Sequence, residues 1–416
     1  MANVTFPQLI QRACGIDVHL KVVVATIQGD GLQRETRTFN TFTSSLKEMK
    51  EWLLSNEVTH VAMESTGVYW KPVYKILEGS IPNVWIVNAR HIKNVPGHKT
   101  DKMDSEWICK LLLAGLLKPS YIPPKEQRQL RDLTRYRNKL IQQIASEKNR
   151  MMRVLEDCNI KLSSVVSNTS GATATSLINM ICDGKVLTLE DIKSVYHGKL
   201  SASPEELLEA CTGFVEEHHI YLLQMIRRDI DKTQELVDEL SERIKVILSK
   251  YENAIELLKE IPGFSTKVVE DLVAEIGLDM SHFPSEKHLA SWAGICPGNN
   301  ESAGKKKSGR TTHGNKQVKA VITEAAWAAT RTKNTFFSER YHRIAARRGK
   351  KRALIAVGHS QLISVYLILS TGARYHELGA QYVQAKIERK RKAYLKTELQ
   401  KLGYEVSLTK TQAPAN

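Results

Sequence analysis

The stretch ACGIDVHLKVVVATIQGDGLQRETRTF, residues 13–39, decides how the first third of the chain folds. Its β-rich pieces ACGIDVH, KVVVATI and RETRTF are separated by short polar breaks, which predicts three strands joined by tight turns, with Gly29 and Asp30 forming one of them. Further on the apolar period lengthens to that of a helix from about Ser44 to Leu54. The run VTHVAMES then reads as a strand, the segment around Tyr69 to Leu77 as a helix, and NVWIVNA as a fifth strand. A last helix is predicted from Asp101 to Leu117, closed by Pro119. Three antiparallel strands followed by alternating helix and strand is the order of an RNase H-like α/β domain.

After residue 122 the pattern turns helical. Residues 125–158 read as one long helix: of the eight seam positions 130, 133, 137, 140, 144, 147, 151 and 154, six are apolar, the exceptions being Arg137 and Glu147. A partner is predicted within 205–250, where Leu222, Met225, Leu236, Leu240, Ile244 and Ile247 recur at similar spacing, with polar SSVVSNTSGATATS plus a short helical region as the hinge between. Such a coiled-coil pair is either an intrachain hairpin or a dimer seam. From Leu257, KEIPGFSTKVVEDLVAEIG predicts helix, a tight turn at Pro262 and Gly263, and a second helix. This is the layout of a helix-hairpin-helix, whose turn would aim backbone N–H groups at a phosphate, and equally that of an ordinary packed helical hairpin. The resulting division is 1–122 α/β, 123–253 helical, and 254–416 mainly α-helical and basic.

The formal charge of +15 is unevenly placed: residues 301–416 hold 24 Lys plus Arg against 7 Asp plus Glu. A block this basic predicts a polyanionic partner, nucleic acid above all. The six cysteines are scattered with no CxxC pair, which predicts neither a zinc site nor a disulfide framework. The first residues lack the basic-then-apolar layout of a signal peptide, so a cytoplasmic protein is expected. The apolar run from Ala353 is broken by His359, Ser360 and Gln361, which reads as a buried helix and not a membrane span.

Against this background the acids of GIDVH, AMEST and KTDKMDSEW need a reason. Asp17 falls at the end of the first strand and Glu64 at the end of the fourth, while Asp101 and Asp104 share one face of a helix's first turn. An isolated DxxD is adequately explained by capping and the helix dipole. Four carboxylates converging would repel one another until a divalent ion compensates, and Mg²⁺, or Mn²⁺, is the hard, oxygen-seeking candidate. Two such ions suit phosphodiester displacement. The sugar-kinase and actin-like ATPases also place an Asp after GI, but they need a Gly-rich phosphate turn that VHLKV does not supply.

Ser302 stands in NNESAGKKKSG without a local His–Asp pair to activate it, and His313 reads as a surface residue. By composition this is a flexible, phosphate-contacting loop. Lys305, Lys306, Lys307 and Arg310 would neutralise phosphate charge beside it, and Arg347, Arg348, Lys350, Lys351 and Arg352 form a second basic cluster. Tyr69 and Trp70 suit base stacking less well than ordinary core packing.

These motifs resemble the DEDD-type insertion-sequence transposases, also called bridge-RNA-guided recombinases, over nearly the full length. The matching pieces are GIDVH, AMESTGVYW and KTDKMDSEWI, then EIPGF, FPSEKHLASWAGICPG, NESAGKKKSG and HGNKQVK. The resemblance implies a RuvC-like N-terminal domain in which Asp17, Glu64, Asp101 and Asp104 hold metal. It also implies a C-terminal domain in which Ser302 is the nucleophile that forms a phosphoserine intermediate with DNA. Further implications are a composite site between protomers, a dimer or tetramer on donor and target DNA, and a structured noncoding guide RNA that supplies sequence choice. Ala303 departs from the glycine many relatives carry, and Ser308 is a weaker second candidate nucleophile. Two rival readings are a two-metal junction nuclease that uses water as nucleophile, and a nucleic-acid-binding protein without catalysis.

Overall fold

The computed structural model describes residues 8–65, 67–88, 101–198, 200–296, 300–302, 305–308, 310–311 and 313–407; for 101–103, 300–302 and 305–308 this description is of the backbone. The chain divides into two compact units, Met1–Pro123 and Pro124–Asn416.

The first unit is built on one mixed sheet. Strands β1 (Arg12–Val18), β2 (Val22–Gly29) and β3 (Leu32–Asn40) form an antiparallel meander, and β4 (His60–Glu64) and β5 (Asn83–Val87) extend it in parallel, in the order β3-β2-β1-β4-β5. The predicted succession of three antiparallel strands followed by alternating helix and strand is therefore observed, and the structure adds that β4 and β5 pair in parallel. The β2–β3 turn falls one residue later than expected, on Asp30 and Gly31, because Gly31 takes the left-handed conformation at φ 68°.

Strand alternation sorts the two faces. Cys14, Ile16, Val23, Ala25 and Ile27 point to helices α1 (Thr43–Ser55) and α2 (Trp70–Leu77), where Leu46, Met49, Leu53, Val73 and Leu77 close one core. Ala13, Ala62 and Val87 face helix α3 (Asp101–Leu113), which presents Ile108, Cys109 and Leu112. This helix stops at Leu113, short of the expected Leu117. Gly115 turns left-handed there, its N–H bonding Leu112 O and that of Leu116 bonding Leu111 O, which terminates the helix in a Schellman arrangement.

The second unit opens with α4 (Lys125–Asp157), a 33-residue helix. It packs antiparallel against α9 (Glu217–Leu248), so the predicted pair is made within one chain. Leu140, Ile144 and Val237 meet at its centre. The partner helix starts at 217, not 205, and Leu222, Met225 and Leu236 of the expected seam stay 44%, 45% and 40% exposed. The expected hinge, with its one short helical region, is more extensively helical. Helices α5 (Leu162–Val165), α6 (Ala172–Cys182), α7 (Leu189–Val195) and α8 (Pro204–Ala210) enclose an apolar core of their own, including Leu155, Leu177, Ile181, Ile192 and Leu207.

The chain continues through α10 (Glu252–Lys259), α11 (Thr266–Ile276), α12 (Glu286–Trp292), a hairpin of β6 (Asn300–Ser302) and β7 (Lys305–Ser308), and helices α13 (Lys316–Ala329), α14 (Phe336–Arg348), α15 (Lys350–Thr371) and α16 (Gly379–Lys401). Leu130, Ile244 and Leu248 of the long pair belong to the same core as Val269, Leu272, Ala325, Ala326 and Val357, so the long helices and the C-terminal helices share one interior. Helix α15 is long and apolar enough to cross a membrane by length and composition, but Val357, Leu362 and Val365 are buried in that core.

The helical hairpin at Pro262 and Gly263 is present, with its turn directed inward. A Cβ on Gly263, at φ 89°, would meet Ala325 O at 2.2 Å, and Pro262 O accepts Gln361 Nε2 at 2.9 Å. The turn itself thus packs against α13 and α15.

Candidate functional site

Two groups of predicted residues are built by different units. In the first unit, Ile16 pairs with Met63 across the parallel β1–β4 ladder, so Asp17 and Glu64 follow side by side at the C-terminal ends of adjacent strands. Both belong to the alternation set that includes Gly15 and Ala62, on the face covered by α3.

The approach of α3 to this face is unusually close. A Cβ on Gly15 would lie 2.2 Å from Ser105 O and 2.3 Å from the Cys109 backbone N. Cys109 Sγ reaches Ala13 O at 3.4 Å and Ser105 Oγ meets Thr26 Oγ1 at 2.8 Å, so the helix runs antiparallel to β1 with its N-terminus toward Asp17. Four residues of helix from Ser105 back to Asp101 span about 6 Å, and two residues of strand from Gly15 to Asp17 about 6.6 Å. The helix start thus lies over the strand ends. Sequence reasoning missed Gly15, Thr26 and Ser105 as the parts that fix this approach; the glycine in GID was the available signal.

Asp17 is mostly buried, at 16% side-chain exposure, and its Oδ2 lies 2.9 Å from His19 Nε2. Asp104 is half-buried on the first turn of α3. Asp101 begins that helix, and its side chain lies outside the described residues. The candidate donors are carboxylate oxygens, which fits a hard divalent cation, and the two nearby thiols are both buried in the cores on either side of the sheet. Burial raises Cys14, and burial pushes Cys109 up to about 12.

In the second unit the expected flexible loop contains a two-stranded hairpin. Ser302 pairs with Lys305 and Glu301 with Lys306, so Ser302 stands at the last paired position before the turn. The side chains of Ser302, Lys305, Lys306 and Lys307 lie outside the described residues.

The base of this hairpin is clamped. A Cβ on Gly314 would lie 2.2 Å from Gly294 N, and Asn315 N–H bonds Trp292 O at 3.1 Å. Asn315 Oδ1 caps α13 by accepting Gln317 N–H and Val318 N–H, and its Nδ2 donates to Glu275 Oε2 at 2.8 Å. Glu275 is 2% exposed and also accepts Arg135 Nε at 2.7 Å. That hydrogen bond raises the Arg135 guanidinium above its ordinary value. A side chain of α4 therefore reaches, through Glu275, the residue that caps α13, seven positions after the serine hairpin ends. No sequence pattern pointed to Glu275, whose partners lie 140 and 40 residues away.

Arg310 is exposed, as are Arg347, Arg348, Lys350, Lys351 and Arg352 around the α14–α15 junction. His313 is exposed as expected; Trp70 packs on the first core while Tyr69 stays 42% exposed. A separate group, Glu216, His218 and His219, brings donor atoms within 4.8 Å of one another. His219 accepts Glu216 N–H at 3.2 Å and lies 3.4 Å from Asp157 Oδ2, which makes it a helix cap.

Two family models match the chain, one described as transposase over residues 14–160 and one as transposase of the IS116/IS110/IS902 family over residues 255–342. The protein is accordingly an enzyme of DNA transposition; the first match spans most of the α/β unit and all of α4, and the second lies wholly within the second unit. The chain belongs to the IS110-type DEDD transposases. A comparison with curated proteins returns no match.

Proposed function

We propose that this transposase is an RNA-guided recombinase. In this reading a RuvC-like domain holds Mg²⁺ through Asp17, Glu64, Asp101 and Asp104, and Ser302 attacks DNA. The observation that carries the reading is the adjacency of Asp17 and Glu64 on strands whose ends lie beneath the start of the helix bearing Asp101 and Asp104. The cation, when bound, would offset charge on the scissile phosphate. Ser302 Oγ forms a bond to phosphorus as one sugar–oxygen bond to that phosphorus breaks, leaving a phosphoserine and a deoxyribose hydroxyl that ends with the serine's proton. Lys305, Lys306, Lys307 and Arg310 would neutralise the flanking phosphates.

The acids and the serine are assigned to different protomers of a dimer or tetramer, with the α4–α9 pair as its coiled-coil arm. Donor and target DNA are chosen by a noncoding RNA while the protein contacts backbone and shape. The test is a denaturing gel of labelled DNA incubated with Mg²⁺ and protein co-expressed with its flanking noncoding region. Wild type is expected to give a protease-sensitive DNA adduct that Ser302→Ala and Asp17→Ala both lose while still binding DNA. Cleavage that survives Ser302→Ala without an adduct would instead assign a water-using nuclease.

A further inference from the structure

Helices α14 and α16 border a cleft of about 180 Å³ whose polar lining is entirely cationic. Arg340 and Arg343 come from α14, Lys386 and Lys390 from α16, and Phe336 and Val383 contribute apolar floor. The two walls are tied at their starts. Glu377 Oε1 accepts Phe336 N–H at 2.8 Å and Gly379 N–H at 2.7 Å, and its Oε2 accepts the Tyr375 hydroxyl at 2.9 Å.

A basic helix face in solvent satisfies its guanidinium groups with water. Here the Nε atoms of both Arg340 and Arg343 are buried and make no hydrogen bond, and among the described residues none of the four cations is ion-paired. Burial, and then the neighbouring Arg343, hold Arg340 below its ordinary value, and His359 is lowered by burial and by Arg340. Buried donors left unpaired beside like charges are costly unless an acceptor relieves them. An anion would supply that acceptor.

We propose that the α14–α16 cleft is a binding site for a backbone phosphate of nucleic acid, received between Arg340 and Arg343 and flanked by Lys386 and Lys390. Guanidinium forks match phosphate oxygens in pairs. A walled cleft also fixes where along a strand the protein sits, which an open cluster such as Arg347–Arg352 does not. The site lies outside the residues assigned to chemistry, so it stands independently of the role of Ser302.

The test is fluorescence anisotropy of the full-length protein with a labelled DNA duplex and, separately, a labelled RNA hairpin, over a salt series. Arg343→Gln/Lys386→Gln is expected to weaken binding roughly tenfold and to lower the salt slope by about 1 to 2. The charge-matched control Arg391→Gln/Lys396→Gln, on α16 but outside the cleft lining, is expected to do less. Ile387→Glu places a carboxylate in the cleft and is expected to raise the melting temperature while it weakens binding. Should the arginine variant not fold, Lys386→Gln/Lys390→Gln serves, because both lysines are exposed. Loss with DNA alone, with RNA alone, or with both supports the site and names its source. Binding unchanged with both, or lost no more than in the control, overturns it.

Discussion

Gly15 shows how a single absent side chain shapes the acid site. Its hydrogen sits where a methyl would collide with the Ser105 carbonyl and the Cys109 amide, so α3 can lie almost backbone to backbone on β1. Gly15→Ala is expected to destabilise the first unit by about 3 kcal/mol, the upper part of the ordinary overpacking range, read by thermal or urea unfolding. It should also reduce Mg²⁺-dependent cleavage, since the displaced helix carries Asp101 and Asp104. Asn315 works by direct bonding instead: Asn315→Ala removes the α13 cap and a partner of Glu275, at a cost of about 1 kcal/mol from the cap. Cleavage is expected to fall further than DNA affinity, because the residue anchors the exit of the serine hairpin.

At Arg137, one of the two non-apolar positions of its seam, the long helix α4 is held by charge. Arg137 is 3% exposed and donates to Glu270 Oε2 at 2.5 Å and Asp271 Oδ1 at 3.0 Å, while Asp271 Oδ2 also accepts Lys267 and Asn138. Arg137→Met would take from the buried Glu270 its Arg137 ion pair and leave Asp271 to Lys267 and Asn138, and is expected to cost about 3 kcal/mol in urea unfolding. Arg137→Met combined with Glu270→Gln and Asp271→Asn should recover much of that loss, since the uncompensated charges are then gone. Heptad position 137 was legible in the sequence as a seam residue. Its partners were not, because Glu270 and Asp271 come from a helix 133 and 134 residues further on.

For the whole molecule, the concentration of charge after residue 300 governs binding to polyanions. Replacing Arg347, Arg348, Lys350, Lys351 and Arg352 with Gln is expected to lower the salt slope of DNA binding by up to about 4. The fold itself should be unaffected, because all five side chains are exposed and the shared core lies elsewhere. Equal slopes for variant and wild type would remove this cluster from the DNA interface.

The strand order, the existence of the long helices and the family resemblance were readable from the chain because each rests on local pattern: period-two runs, heptads, and motifs a few residues long. So was the candidate role of Asp17, Glu64, Asp101 and Asp104, whose positions at strand ends and a helix start follow from element boundaries. Tertiary structure alone decided that Gly263 faces the core, that the expected hinge is a helical subcore, that the serine segment forms a hairpin, and that the Nε atoms of Arg340 and Arg343 are buried with no hydrogen bond among the described residues. The physical reason is common to all four. Burial and pairing of a side chain or turn depend on what another element brings against it, and that neighbour lies far away in sequence.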